Sequence, residues 1–416
     1  MVRVIADDLT GACDVGAELA AAGLRVRVSV AGEDEREDPR LVRVLNTQSR
    51  AISAEAAYAR VLRLVRQQPT DVLVKKIDTA LRGHLGAELD AALDGLGAVA
   101  AFVLPAVPAA GRLTRGGCQW FGGLLLAETE FARDPEGLGA ESSIAAVLRR
   151  ESRRRSEVIG TSVVRAGALG DRARRLMQAG VAFFVVDVES DADLACAVSA
   201  ILELPRPLCL AGSTALARAL VPYLTRASER RPTIVARSAS GPALVVCGSL
   251  HPMARAQIDA LVVSETAVRV TAPAAAAPLG ERAAAAARAA TQLGSGKSVV
   301  LVPAAPPGVP DVSERRATER LLGEVTRQIA ACAGVRTLVL IGGETAHAVL
   351  TALGATEIAA CGPFGPLVAV AEVVTGTVAG ATLVTKGGSG GEPGTLAELL
   401  TGAGVLKPAA MGQQGV

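Results

Sequence analysis

The stretch Val2–Asp14, VRVIADDLTGACD, decides how the rest of the chain is read. Val2, Val4 and Ile5 predict a short buried strand, and Asp7 and Asp8 follow it as adjacent carboxylates. The chain turns at Leu9-Thr10-Gly11. Beyond the turn, Ala12, Val15, Leu19 and Ala22 recur at the three-to-four spacing of one face of an amphipathic helix. Thr10 is the expected N-cap, and Asp14 falls in the first turn, where a negative charge suits the helix dipole. Strand, turn and helix in this order open an α/β sheet, and such sheets bind ligands at the carboxyl ends of their strands. The two aspartates stand at that place. The stretch alone leaves two readings open: they serve a ligand, or they only cap the turn.

At 416 residues the chain predicts two domains of about 150–250 residues each. Half of it is apolar and only 2% aromatic, so its cores must be built from Val, Leu, Ile and Ala. A formal charge of +2 gives no electrostatic argument for nucleic acid or a membrane surface. No apolar run reaches the ~18 residues that would span a bilayer. The N-terminus enters a strand by Val2 without a signal-peptide pattern, so a soluble, cytoplasmic protein is expected. The seven cysteines are scattered with no C-x-x-C pair, which argues against a disulfide framework or a zinc ribbon. His84, His251 and His347 lie far apart and support no Ser-His-Asp or metal-histidine site.

Further strands are read at Val26–Val30, Val42–Leu45 and Asp71–Lys76, with a helix over Glu55–Gln67. The last strand runs into KKIDTALRGHLGAEL. Only five lysines occur in the chain, so Lys75 and Lys76 side by side stand out. Asp78, Arg82 and Gly83 follow at a strand-to-helix junction. An arginine there can fork onto a carboxylate while an aspartate accepts from hydroxyls; the plainer alternative is an Asp78–Arg82 ion pair four residues apart. Val99–Leu104 is a buried strand that ends in PAVPAAGRLTRGG, and Arg112 in this Pro/Gly-rich loop is a carboxylate-binding candidate. The basic run Arg149–Arg155 lacks neighbouring aromatics and reads as a solvated helix end.

The polar, arginine-rich segment 225–242 marks a domain boundary. A second α/β unit follows, in which three strands end in Gly/Ser turns: Gly248-Ser249, Gly342–Thr345 and Lys386–Gly391. Glycine lets backbone amides approach a phosphate, and a following helix N-terminus adds a favourable dipole. Together the three turns predict a nucleotide site, at which Lys386 could neutralise phosphate charge. Gly294–Ser298, GSGKS, imitates a P-loop ending, but position 291 is Thr where that motif needs Gly, and the segment precedes a strand.

These stretches resemble the four-carbon acid sugar kinase family, whose members phosphorylate threonate, erythronate or 3-oxo-tetronate with ATP. ADDLTGA-x-D-x-G opens that family's chains. KKIDTALRG is similar to its K-K-I-D-S-T-L-R-G, with Thr79-Ala80 in place of Ser-Thr. Gly111-Arg112 falls on its P-A-x-P-x-x-G-R-T, and the C-terminal turns resemble its G-S, G-G-x-T and K-x-G-x-F-G, with Gly390 in place of Phe. The likeness runs from Val4 to about Leu400.

It implies an α/β fold of two domains, each a mainly parallel sheet flanked by helices, with the active site in the cleft between them. Residues 1–225 would bind the sugar acid, 226–242 would be a linker, 243–407 would bind nucleotide and 408–416 would be a disordered tail. Asp8 and Asp78 are the catalytic candidates, one of them the base. Asp7, Thr10, Lys76, Arg82, Gly83 and Arg112 are the substrate-binding candidates. Ser249, Gly342, Gly343, Glu344, Thr345, Lys386, Gly387 and Gly388 would contact ATP. Mg²⁺ is expected with ATP, its ligands unassigned. The expected partner is the small sugar acid, and a homo-oligomer is left open. Two rivals are a Mg²⁺-dependent aspartyl-phosphate phosphatase, whose D-x-D-x-T spacing this chain does not match, and a non-catalytic nucleotide- or metabolite-binding regulator.

Overall fold

The computed structural model describes residues 2–30, 38, 41–67, 70–133, 141–224, 241–305, 310–365 and 367–401. Apart from Gly241 and Pro242, the expected linker lies outside these residues, as does the expected tail 408–416. The chain divides into two compact units. One comprises residues 1–22 and 31–230, the other 23–30 and 231–416. Among the described residues no helix is long and apolar enough to cross a membrane.

In chain order the first strands are β1 (Val2–Ala6), β2 (Val26–Ser29), β3 (Val42–Asn46), β4 (Val72–Lys76) and β5 (Ala101–Leu104). Then come β6 (Arg112–Arg115), β7 (Cys118–Phe121), β8 (Leu124–Leu125), β9 (Arg155–Ile159), β10 (Val181–Val186) and β11 (Leu208–Gly212). All of these but β2 belong to the first unit. Its sheet runs β3-β1-β4-β11-β5-β10-β9, every pairing parallel. The strands are apolar runs such as VAFFVV, buried along its whole length, because helices cover both faces of a parallel sheet. Register aligns Ala6 with Asn46 on one side and with Lys76 on the other, so three strands end level. From β1 the chain passes to β3 on one side and then returns to β4 on the other. The crevice where an open sheet takes a ligand therefore lies over the ends of β1 and β4. β6, β7 and β8 form a separate antiparallel ribbon, tied down where the Asp187 carboxylate accepts from the backbone N–H of Gly116 and Gly117.

The second unit adds β12 (Ala243–Cys247), β13 (Ala267–Ala272), β14 (Ser298–Pro303), β15 (Thr337–Ile341), β16 (Glu357–Gly365), β17 (Val368–Val373) and β18 (Thr382–Lys386). Five parallel strands run β13-β14-β12-β15-β18, and β17, β16 and β2 continue the sheet antiparallel. Here too the chain leaves β12 toward one side, for β13 and β14, and returns on the other with β15. Cys247, Ile341 and Lys386 are paired in register, which brings the three Gly/Ser turns to one edge.

One local expectation is corrected. The N-cap of the first helix (Leu9–Ala21) is Asp8, not Thr10: Asp8 is extended, and its Oδ1 accepts from the Gly11 N–H at 2.9 Å. The helix thus starts earlier, Thr10 lies inside it, and Asp14 moves to its second turn.

Candidate active site

The first site is built on three strand ends of the first unit. β1 delivers Asp7 and Asp8, β4 delivers Lys75 and Lys76, and β3 delivers Arg50, which the sequence reading did not single out. Arg50 bridges the two aspartates. Its Nε donates to Asp7 Oδ2 at 2.8 Å and its Nη1 to Asp8 Oδ2 at 2.8 Å, and all three side chains are buried. The backbone N–H groups of Ser49 and Arg50 also donate to the Asp7 carbonyl, which fixes the loop that carries the guanidinium. Burial pulls the Arg50 pKa down, yet Asp7, Asp8 and Asp78 outweigh it and hold the proton more firmly than usual. Burial likewise pushes Asp7 up, but Arg50, Lys75 and Lys76 overcome it and keep the carboxyl below its ordinary range.

Adjacent strand residues point to opposite faces, and this separates the two lysines. Lys75 is fully buried on a salt bridge of 2.6 Å to Glu88, whose other oxygen accepts from Ser49 Oγ. Lys76 reaches the site: its Nζ donates to the Ile77 carbonyl and lies against Gly11, where an added Cβ would come within 2.7 Å of it. Gly11 leaves room for the ammonium.

Asp78–His84 is a loop that precedes the helix Leu85–Leu96. Within it Arg82 Nε donates to Asp78 Oδ2 at 2.6 Å, so the ion pair weighed as an alternative exists, on the loop and not on a helix. Burial raises Asp78, but Arg82, Arg50 and Lys76 together hold it far below the usual carboxylate range. Gly83 has φ +88°, and a Cβ there would sit 3.3 Å from Asp7 Oδ2. Arg112 lies over the Phe121 ring at 4.6 Å and donates to Thr79 Oγ1; burial lowers its pKa while the Asp78 charge raises it. Asp7, Asp78, Arg82 and His84 line a pocket beside this cluster. Asp7, Asp8, Asp78 and Gly83 thus gather around Arg50, with Arg82 and Lys76 beside Asp78 and Arg112 within reach of the Asp78 charge; Thr10 is buried on the first helix. Three buried oxygens here have no hydrogen-bond partner: Asp7 Oδ1, Thr10 Oγ1 and Asp14 Oδ1.

The second site lies at the ends of β12, β15 and β18. Gly342 takes φ +107°, and a Cβ on it would lie 3.2 Å from Thr345 Oγ1. A Cβ on Gly248 would lie 2.5 Å from the same oxygen, and one on Gly388 would collide with Ser249 Oγ and come within 2.8 Å of His251 Cβ. The three turns touch one another. Thr345 Oγ1 is buried without a partner. Gly343 and Glu344 open the helix Gly343–Ala352, whose first N–H groups face this edge. Lys386 is fully buried, and its Nζ donates to the Gly387 carbonyl at 2.9 Å.

A glycine-lined cradle on one unit has the make-up of a phosphate site, and a cluster of guanidinium and carboxylate groups on the other that of a site for a small polar acid. Family comparison agrees. Residues 2–220 match the sugar-binding N-terminal domain, and residues 244–396 match the nucleotide-binding C-terminal domain. The chain is 32% identical to the D-threonate kinase of Salmonella typhimurium, over 95% of this chain and 97% of that one. It is 28% identical to the 3-oxo-tetronate kinase of Pseudomonas fluorescens, over 85% and 86%. A solved structure from Salmonella typhimurium LT2 superposes with a TM-score of 0.78 at 21% identity, covering 97% of this chain and 98% of the other. The chain belongs to the four-carbon acid sugar kinase family and is a phosphotransferase.

Proposed function

We propose that this protein is an ATP-dependent kinase that phosphorylates a hydroxyl of a four-carbon sugar acid of the threonate, erythronate or 3-oxo-tetronate type. The observation that carries the reading is the set of guanidinium groups from Arg50, Arg82 and Arg112, interleaved with Asp7, Asp8 and Asp78, at the crevice over β1 and β4. A small hydroxy acid needs that mixture: cations for its carboxylate, and fixed acceptors for its hydroxyls. Arg112 and Arg82 are assigned to the substrate carboxylate, and Asp8 and Asp78 to orienting hydroxyls. Lys76, against Gly11, supplies a further positive charge.

The cradle at Ser249, Gly342–Thr345 and Gly387-Gly388 suits a nucleotide. Glycine opens the backbone to phosphate oxygens, and the unpartnered Thr345 hydroxyl gains an acceptor. ATP, when bound, supplies the γ-phosphoryl group. Among the described residues no three His, Cys, Asp or Glu side chains are grouped to hold a metal ion. A Mg²⁺ that arrives on nucleotide phosphates needs only one or two carboxylates, and no protein ligand is assigned to it. The phosphatase alternative is not retained: a nucleophilic Asp7 or Asp8 would have to leave a buried arginine.

The test is ADP release from ATP with purified full-length protein and a panel of four-carbon acids, D-threonate first because its kinases are among the most similar relatives. Turnover with at least one acid, dependent on both substrates, is expected. Release of phosphate from a sugar-acid phosphate without ATP would overturn the reading.

A further inference from the structure

The proton that must leave the reacting hydroxyl needs an acceptor, and the carboxylates first in view are poorly placed to be one. Both oxygens of Asp8 are engaged, one by the Gly11 N–H and one by Arg50. Asp78 is paired with Arg82 through both oxygens. Asp7 gives one oxygen to Arg50 and keeps Oδ1 without a partner, but it stays tied to that cation. Neighbouring cations hold the carboxyls of Asp7 and Asp78 below the ordinary range and make both weaker bases, and Asp8 has no oxygen left over.

Asp14 differs. It lies on the helix that starts at Asp8, one turn beyond Thr10, so the two side chains share a helix face. It is more than nine-tenths buried, and Oδ1 has no hydrogen-bond partner; Thr10 Oγ1 is in the same condition. Lys76 Nζ lies against Gly11 on this helix, and its charge acts on Asp14. Asp14 sits three residues beyond Gly11 on the same helix. We infer that Asp14, set on the face of the first helix that Thr10 shares, with Lys76 against Gly11 of that helix, is the group that takes the proton of the reacting hydroxyl. The inference rests on the kinase reading above and goes beyond it by naming the base.

Its electrostatics suit the role. Burial raises the Asp14 pKa most, Lys76 lowers it in part, Asp8 and Glu18 raise it again and Arg112 lowers it, leaving it at about 7. Glu18 is itself engaged by Arg218 of the helix Thr214–Leu224, which packs on this one. A base poised near the working pH accepts a proton most effectively. In the step, the substrate hydroxyl oxygen bonds to the γ-phosphorus of ATP while the γ-phosphorus–oxygen bond to ADP breaks. ADP keeps that electron pair. The hydroxyl proton passes to the Asp14 carboxylate, and water removes it before the next turnover.

The test compares wild type with Asp14→Asn in the full chain, once wild-type turnover of a four-carbon acid has been established. Asn keeps the shape and cannot take the proton, so kcat should fall by about 10²–10⁴-fold. Affinities for the acid and for ADP, from calorimetry, should stay within about threefold. Wild-type kcat should rise with pH through one ionisation near 7, and this limb should vanish in the variant. A second measurement needs no variant: the limb should move to higher pH in added methanol, as a neutral acid does and a histidine does not. Near-normal kcat in Asp14→Asn, loss of binding in step with rate, or a limb that methanol leaves in place would each overturn the assignment while leaving the kinase reading intact. A wild type inactive on every acid would remove both. Should Asp14→Asn fail to fold, the methanol experiment decides alone.

Discussion

The two units use the same sheet edge in opposite ways. In the first, side chains fill it: Arg50, Asp7, Asp8, Asp78, Arg82 and Lys76 crowd the ends of β1, β3 and β4, nearly all of them ion-paired and buried. In the second, the backbone is left open: Gly248, Gly342 and Gly388 clear the ends of β12, β15 and β18, and Lys386 turns to a carbonyl. The difference suits the two ligands proposed for them. A hydroxy acid offers several groups of different kind in a few ångströms, and only varied side chains can match them. Phosphates offer repeated anionic oxygens, which a row of N–H groups matches without any side chain. The first solution ties binding to stability, because its charges must satisfy one another when no substrate is present. The second leaves the two nearly independent.

Two substitutions can break that contrast. Arg50→Met should have the largest effect, since it strands Asp7 and Asp8 as buried charges without their partner, and removing one member of a buried pair costs about 3–5 kcal/mol. The melting temperature should fall and sugar-acid binding should be lost, while ADP still binds to the folded fraction. Normal stability with lost acid binding would mean that the first site, too, separates binding from folding. Gly388→Val is the converse. Its side chain would press on Ser249 and His251, so ADP affinity measured by calorimetry should drop by about 100-fold or more, roughly 2.7 kcal/mol. Acid affinity should be unchanged. An unaffected ADP affinity would remove Gly388 from the cradle.

Much of this contrast is legible in the sequence because its signals are local. Gly342–Thr345 and Gly387-Gly388 each follow an apolar run, and a glycine after a strand carries its meaning with it. Asp7 and Asp8 can be placed for the same reason. Arg50 cannot: it becomes important only when β3 pairs with β1 and ends level with it, a long-range fact of register. The polar run Asn46–Arg50 directly after a strand is the one hint, visible once the sheet order is known. β2 shows the same limit. Val26–Ser29 reads as a strand, but nothing nearby says that it pairs with β16, over 300 residues later. Asp14 reads as dipole compensation because the charges that act on it, Lys76 of β4 and Arg112 of β6, are brought near only by the fold. The Thr10 cap failed by the smallest margin: Asp8 and Thr10 both suit an N-cap, and the earlier one has the free Gly11 N–H in reach.

The smallest effect concerns the support beneath the first site. His84 closes the loop that carries Asp78 and Arg82; its Nδ1 lies 2.9 Å from Glu151 Oε1 and its Nε2 2.5 Å from the Ile52 carbonyl. Both partners are acceptors, so both hydrogen bonds exist only when the ring carries two protons. The other oxygen of Glu151 accepts from the N–H groups of Gly86 and Ala87 at the start of the next helix. Burial lowers the His84 pKa, but the bonds to Glu151 and Ile52 outweigh it and raise the pKa above its ordinary 6.5. A raised folded-state value means that the proton is held more tightly in the native protein. Its stabilisation is complete below pH 6.5 and fades as the pH climbs through the folded value. Melting temperatures of wild type and His84→Asn should therefore differ most at mildly acidic pH and converge as the solution becomes alkaline. ADP affinity followed over the same range should not trace that curve, since His84 and its partners belong to the first unit. A gap that stays constant with pH would show that His84 works by shape alone, and the dependence of the first site on charge would end at its rim.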